Sequence, residues 1–329
     1  MKTRILPVDS DVTPAVEALR AGEAVALPTE TVYGLAADAL NAAAVVKIFA
    51  AKERPRFDPL IVHLPEIDCL ERVSVVLAAD RILVRALIER FWPGPLTLVL
   101  PRSSEIPDIV VAGLETVAVR MSAHPVFQRI IREVARPLAA PSANRFGRIS
   151  PTSANDVLVE LEGRIPFIVD GGATKHGIES TIVAVREGAL EILRHGPVTA
   201  EELASFAAVR PAREREYPEA PGQLRTHYAP RTPLVLTSDL ASFVSPQDTK
   251  VGVLTLRQPV PGSFAEIRAL SRTGDLREAA ANLFRSLREL DDAGLDLIVA
   301  EEIPESGLGR AIMDRLRRAA TLGAPGTLR

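Results

Sequence analysis

The chain has 329 residues, of which 47% are hydrophobic and 25% charged, with a formal net charge of −3. That length suits about two domains of ~100–200 residues each, and the composition is that of a globular protein with ordinary cores. The mild negative charge argues against a protein that coats nucleic acid, which carries a basic excess; a local basic pocket is not excluded. Cys69 is the only cysteine, which excludes an intramolecular disulfide and a cysteine-based zinc site. Its neighbours Ile67, Leu70 and Val73 suggest a small buried hydrophobe. Lys2 and Arg4 lead into Asp9 and Asp11, so no signal peptide is expected. No uncharged apolar run approaches ~20 residues, so no membrane span is expected and a cytoplasmic location follows.

The first part reads as mixed α/β. Thr13-Pro14 starts a helix over 15–21, with proline in its first turn and Gly22 at its end. An apolar strand at 24–27 runs into the Pro28-Thr29-Glu30-Thr31 turn. Residues 41–51 have helical spacing, with Val45, Ile48 and Phe49 on one side. A strand at 60–64 and a helix over 80–91 follow, and Pro93-Gly94-Pro95 breaks that helix before a strand at 96–100. Next come a strand at 117–121, a helix at 126–135, a short strand at 138–140, a helix at 155–160, and strands at 167–170, 181–185 and 192–194. Between 210 and 231 the character changes. Charges alternate, and Pro211, Pro218, Pro221 and Pro230 oppose regular structure, so this is the linker. Beyond it, strands at 234–236, 251–256, 267–270 and 297–300 interleave with helices at 275–291 and 308–320, the pattern of a parallel sheet. The expected layout is a catalytic domain over 1–209, a linker over 210–231 and a smaller α/β domain over 232–329.

Several residues can carry chemistry. In the strand at 117–121, Val117, Val119 and Met121 face the core, while Thr116, Ala118 and Arg120 share the other face. A guanidinium there either grips a carboxylate or phosphate or is an ordinary surface arginine on an edge strand. His63, on the strand at 60–64, is either a hydrogen-bonding group for a small polar ligand or an ordinary histidine. Lys52, Arg54 and Arg56 follow a helix and suit a polyphosphate, although cations are favoured at a helix C-terminus in any case. Ser142 and Asn144 occupy a proline-initiated turn at a strand end, the usual ligand position in α/β sheets; the alternative is a turn that satisfies its own backbone. Ser150 and Thr152, beside Arg145 and Arg148, suit phosphate oxygens. Ser180 and Thr181 enter another strand, and Arg194 ends the last strand of this domain. The chain lacks a Gly-x-x-x-x-Gly-Lys-Ser/Thr loop, and its five histidines lack metal-ligand spacing.

Five segments together carry a resemblance: Leu27-Pro28-Thr29-Glu30-Thr31-Val32-Tyr33-Gly34-Leu35, Lys52-Glu53-Arg54-Pro55, Thr116-Val117-Ala118-Val119-Arg120, Pro141-Ser142-Ala143-Asn144 and Gly177-Ile178-Glu179-Ser180-Thr181. In order and wording they resemble the YrdC-like threonylcarbamoyl-AMP synthases, over about 24–194. His227-Tyr228-Ala229-Pro230 fits the linker motif of the long form. The resemblance implies a YrdC-like twisted mixed sheet with helices around a basic cavity, followed by a Rossmann-like parallel α/β domain. It implies a nucleotidyltransferase that converts L-threonine, bicarbonate and ATP, with Mg2+ carried by ATP, to threonylcarbamoyl-AMP and pyrophosphate. The product then feeds a separate transferase that modifies tRNA, with a weak tRNA contact by this chain as a further implication.

Carried over by position, Thr31, His63, Arg120, Ala140 and Ser180 are implied to bind threonine. Arg54, Asp58, Thr116, Ser142, Ser150 and Arg194 are implied to line the ATP site, with Lys52 and Asn144 nearby and His227 or Tyr228 closing over it. Lys52, Arg54 and Arg120 are the implied catalytic groups, and no resident metal is implied. The chain departs from the family at Glu53, where glycine is frequent and a tight turn is therefore in doubt, and at Asp58, where asparagine is common. Gln223 replaces a frequent methionine. The competing readings are an RNA-binding module of the same fold, a carbamoyl-adenylate-forming maturation factor and a non-catalytic amino-acid sensor.

Overall fold

The structure, a computed structural model, describes residues 2–9, 11–213, 218–224, 227–258, 260 and 262–320. Two compact units divide the chain. The first comprises Met1–Phe146, Pro151–Lys175 and Glu179–Gln223, and the second Gly147–Ser150, His176–Ile178 and Leu224–Arg329.

The first unit is built on one mixed sheet. Its strands are β1 (Arg4–Pro7), β2 (Val25–Leu27), β3 (Gly34–Asp38), β4 (Ile61–His63), β5 (Leu96–Pro101), β6 (Thr116–Arg120), β7 (Leu138–Ala139), β8 (Phe167–Asp170), β9 (Thr181–Arg186), β10 (Ala189–Arg194) and β11 (Val209–Pro211). They lie in the order β1-β8-β2-β3-β7-β4-β6-β5-β9-β10-β11. Two registers matter for the site: β4 runs parallel to β6 with His63 opposite Arg120, and β5 runs parallel to β9 with Leu96 opposite Thr181.

Alternate residues of the central strands supply two different cores, as strand geometry requires. Val62, Leu98, Val117, Val119, Met121 and Val183 join the main cluster. Ile61, Val99, Ala118 and Ile182 form a smaller cluster with Leu193 and Ala220. The expected division of residues 116–121 between two faces therefore holds. β6 is not an edge strand, however: it lies between β4 and β5, so both of its edges are paired, and the two clusters cover its two faces.

The Ala42–Lys52 helix shows how local chemistry positions a charged group. Asn41 caps it by accepting from Ala43 N at 3.1 Å and Ala44 N at 3.3 Å. Val45, Ile48 and Phe49 bury its apolar side. Glu53 ends it in the left-handed region at φ 55°, so the turn forms although glycine is absent. Arg164 pairs with the Glu53 carboxylate at 2.8 Å.

The second unit carries β12 (Leu234–Thr237), β13 (Val251–Thr255), β14 (Glu266–Ala269) and β15 (Leu297–Glu301) in the order β12-β15-β13-β14. Every pairing is parallel. Asp275 caps the Leu276–Asp291 helix, and Leu308–Ala320 is the last helix. The alternation expected for this region is present.

Other elements differ from expectation. β1 and β3 lie outside the expected strands; β3, Gly34-Leu35-Ala36-Ala37-Asp38, has no β-branched residue and is a strand because it pairs on both sides. Pro211 was expected to oppose regular structure. It ends β11, an outer strand of the sheet, where a missing N–H is tolerated. Cys69 is half-buried rather than fully enclosed, and packs against the main core. Among the described residues no helix is long and apolar enough to cross a membrane.

One glycine ties the fold to the residues described next. A Cβ on Gly196 would lie 2.4 Å from Thr181 N and 2.6 Å from Glu179 O. Both are backbone atoms of the segment holding Ser180, so neither can swing aside. Gly196→Ala should lower stability by about 1–3 kcal/mol through overpacking, read as a shift of the urea midpoint; an unchanged midpoint would mean this segment yields freely.

Candidate active site

Two groups of buried polar residues occupy the first unit. The first is organised around Arg120, at the end of β6 and 3% exposed. Its Nη2 donates to Glu30 Oε1 at 2.6 Å, its Nη1 to Thr31 Oγ1 at 3.0 Å, and its Nε to Gly94 O at 3.1 Å. Ser122 Oγ donates to the other Glu30 oxygen at 2.5 Å. Thr29 and Thr31 share a hydroxyl contact of 2.8 Å. These bonds fix the guanidinium and use three of its five N–H groups, leaving two.

His63 lies beside Arg120 across the strand pair and is also buried. Its ring stands 4.7 Å from that of Phe127, and among the described residues its Nδ1 has no hydrogen-bond partner. Ala140 follows β7 and is held by a bond from its N to Ile61 O at 2.9 Å.

The second group gathers cations. Lys52 Nζ, almost fully buried, donates to the carbonyls of Ser142 and Asn144. Arg54 donates through Nε to Asp58 O at 3.2 Å and through Nη2 to Pro59 O at 2.9 Å. The same Nη2 stands 2.8 Å from Asp58 Oδ2. That contact is ionic rather than a hydrogen bond, because neither carboxylate oxygen of Asp58 accepts one among the described residues. Arg194 donates to Ser180 Oγ and Ser180 O, each at 3.0 Å, and to Pro221 O at 3.2 Å. Ser180 Oγ also meets Thr97 Oγ1 at 2.8 Å.

Backbone connections link the two groups. The Gly94-to-Thr97 segment holds Arg120 through Gly94 O, and Ser180 through the Thr97 hydroxyl. Thr181 N donates to Pro95 O at 3.0 Å. The loop from Pro28 to Leu35 is tied to the Pro141–Asn144 turn by Leu35 N to Pro141 O and Ala143 N to Tyr33 O, both 2.8 Å.

The first unit thus brings together Thr31, His63, Arg120 and Ala140, and likewise Lys52, Arg54, Asp58, Ser142, Asn144, Ser180 and Arg194. Thr116 opens β6 four residues before Arg120, ~13 Å away along a strand. Ser150, His227 and Tyr228 belong to the second unit. There Tyr228 is fully buried at φ 64°, its ring 5.5 Å from Phe284 and 4.0 Å from His227, with Arg315 over it at 5.5 Å. Arg56, the third cation of its stretch, is exposed. Glu30 and Thr97 are functional residues that the sequence pattern does not single out. Glu30 did carry a signal, a charged residue between two threonines at the end of an apolar strand, which needs a buried partner.

Electrostatics separates the roles. Burial alone would raise the Glu30 pKa, but the Arg120 charge and the Ser122 hydrogen bond outweigh it and hold the group at about 2. Burial and the nearby Arg120 depress His63 to about 3, so its imidazole is neutral. Burial, reinforced by Arg54, pulls Lys52 well below the usual lysine range, against Asp58, Glu160 and Glu179.

A family model described as telomere recombination matches residues 17–196, and one described as the C-terminal domain of threonylcarbamoyl-AMP synthase matches 198–321. The threonylcarbamoyl-AMP synthase of Bacillus subtilis (strain 168) is 41% identical over 328 residues, covering 95% of this chain and 93% of the relative. That of Pyrococcus abyssi is 40% identical, covering 92% of each. The crystal structure of P. abyssi Sua5 complexed with L-threonine superposes with a TM-score of 0.86 at 37% identity, over 97% of this chain and 98% of the other.

The two shifted groups make the fold acid-sensitive. Glu30 contributes stability that is complete above its unfolded pKa of 4.5 and lost as pH falls toward 2, worth ~3 kcal/mol. His63 must stay neutral when folded, so its share is lost as pH falls from 6.5 toward 3. The urea midpoint should fall between pH 6.5 and 4.5 in the wild type, and His63→Gln should flatten that segment. A wild-type midpoint constant over this range would contradict the assignment.

Proposed function

The chain belongs to the threonylcarbamoyl-AMP synthase family, and from that membership we propose that its buried polar groups bind L-threonine and ATP side by side, forming threonylcarbamoyl-AMP and pyrophosphate from them with bicarbonate. The observation that carries this reading is the pairing of the two groups across one backbone segment. One holds an immobilised guanidinium beside a neutral histidine and a threonine hydroxyl; the other holds three cations and a serine.

On this reading the threonine carboxylate meets the two remaining N–H groups of Arg120. Glu30 and Gly94 keep that guanidinium from rotating, so little side-chain entropy is lost on binding. The substrate hydroxyl is met by Thr31 and by His63, with Ala140 and Ser180 bounding the remaining space. A buried imidazole nitrogen without a partner discriminates against amino acids that lack the hydroxyl, because they would leave it unpaired.

Threonine's amine, once deprotonated, attacks the carbon of bicarbonate. A C–N bond forms and water leaves, giving a carbamate. A carbamate oxygen then attacks the α-phosphorus of ATP, and the bond to the bridging oxygen breaks to release pyrophosphate. Lys52, Arg54 and Arg194 stabilise the charge that develops on the phosphates, and the two subsites supply alignment. Ser142 and Asn144, joined to Lys52 through their carbonyls, line the nucleotide side. Thr116 and Ser150 are the nucleotide contacts inferred from the family pattern alone. ATP enters as its magnesium complex, in which the metal is held chiefly by phosphate oxygens. The product is an activated carbamate for a separate transferase acting on tRNA in the cytoplasm.

Purified protein mixed with ATP, L-threonine and bicarbonate should yield a threonine-dependent AMP adduct by mass spectrometry, and no adduct would overturn the reading. Arg120→Ala should weaken threonine binding roughly a hundredfold, the loss of a charge-assisted bidentate contact, with ATP affinity little changed. Equal threonine affinity in variant and wild type by calorimetry would remove Arg120 from this role.

A further inference from the structure

All three cations of the second group act on one buried carboxylate, Asp58. Asp58 is 0% exposed. Arg54 is in ionic contact with it at 2.8 Å, and Arg54, Lys52 and Arg194 are the charges that act on it. A buried carboxylate normally collects several hydrogen-bond donors. Among the described residues neither oxygen of Asp58 has one; Arg54 Nε and Nη2 donate instead to the carbonyls of Asp58 and Pro59. Asp58 is therefore held by charge alone. Two other carboxylates, Glu160 and Glu179, act on Lys52, and Glu160 is engaged by Arg145 N and Nε at 3.4 Å.

Resting on the reading of this group as a polyphosphate subsite, we infer that Asp58 is a resident counter-anion whose place beside Arg54, Lys52 and Arg194 the phosphates of ATP take over, so that Asp58 sets the affinity for the nucleotide by opposing it. Buried cations without a counter-charge are costly, and Asp58 allows them to stand preformed in the free protein. When a triphosphate brings several negative charges to the same cations, the Asp58 charge becomes redundant and repulsive. Burial already raises the Asp58 carboxyl above its ordinary value, although Arg54, Lys52 and Arg194 oppose that. Adjacent phosphates push it in the same direction.

The test is calorimetric titration of magnesium-ATP at pH 8, without threonine, into wild type, Asp58→Asn and Asp58→Ser, each checked for a cooperative melting transition. Both variants should bind ATP roughly tenfold more tightly, the effect of removing one like charge from the subsite. Equal or weaker binding by folded variants would overturn the inference and make Asp58 a structural residue or a direct ATP ligand. Should both variants fail to fold alone, magnesium-ATP or magnesium-pyrophosphate should restore a cooperative melting transition in them if phosphates take over the Asp58 charge, and no restoration would overturn the inference. A wild-type enzyme that forms the threonine-dependent adduct while the variants bind no tighter defeats this inference alone. Absence of ATP binding in all three proteins defeats the adenylate-forming reading together with it.

Discussion

A guanidinium buried at the end of a central strand is the constraint on which the first unit depends. Arg120 lies on β6, between β4 and β5, where water does not reach its side chain. Such a charge is tolerated only when it is paired and hydrogen-bonded. Glu30, Thr31 and Gly94 meet that demand from two separate loops, and Ser122 completes the Glu30 carboxylate. The loops on either side of β6 are consequently positioned by the same charge they neutralise.

The second charged group follows a different rule. Lys52 and Arg194 are oriented by bonds to carbonyls and to Ser180. Their counter-charge comes from a few buried acids, with Asp58 at the centre. The Arg120 group is a self-satisfied network and therefore rigid. The Lys52 group keeps a carboxylate that no donor holds, and so can exchange one anion for another.

The sheet order explains how residues distant in sequence meet. β9 pairs with β5 in parallel register, which sets Ser180 beside Thr97. β4 pairs with β6 in the same sense, which sets His63 beside Arg120. Each pair joins an apolar strand to a polar residue at its end. A change of register by one residue would turn those polar groups onto the opposite face.

Much of this was legible in the chain itself. Period-two and period-three-to-four apolar patterns located most strands and helices, because those periods reflect one buried face. The parallel second sheet followed from strand–helix alternation, and the five polar segments marked most of the residues that converge. Local pattern could not show β3, whose alanines and glycine have no preference for extended structure, nor that Pro211 would join an outer strand. It also left Arg120 undecided between surface and interior, since burial of a residue on a strand depends on what packs over its face. The partnership of Glu30 with Arg120, and the gathering of cations around Asp58, belong to the tertiary structure alone. Electrostatic pairing acts through space between residues far apart in the chain, and only the folded sheet sets those distances.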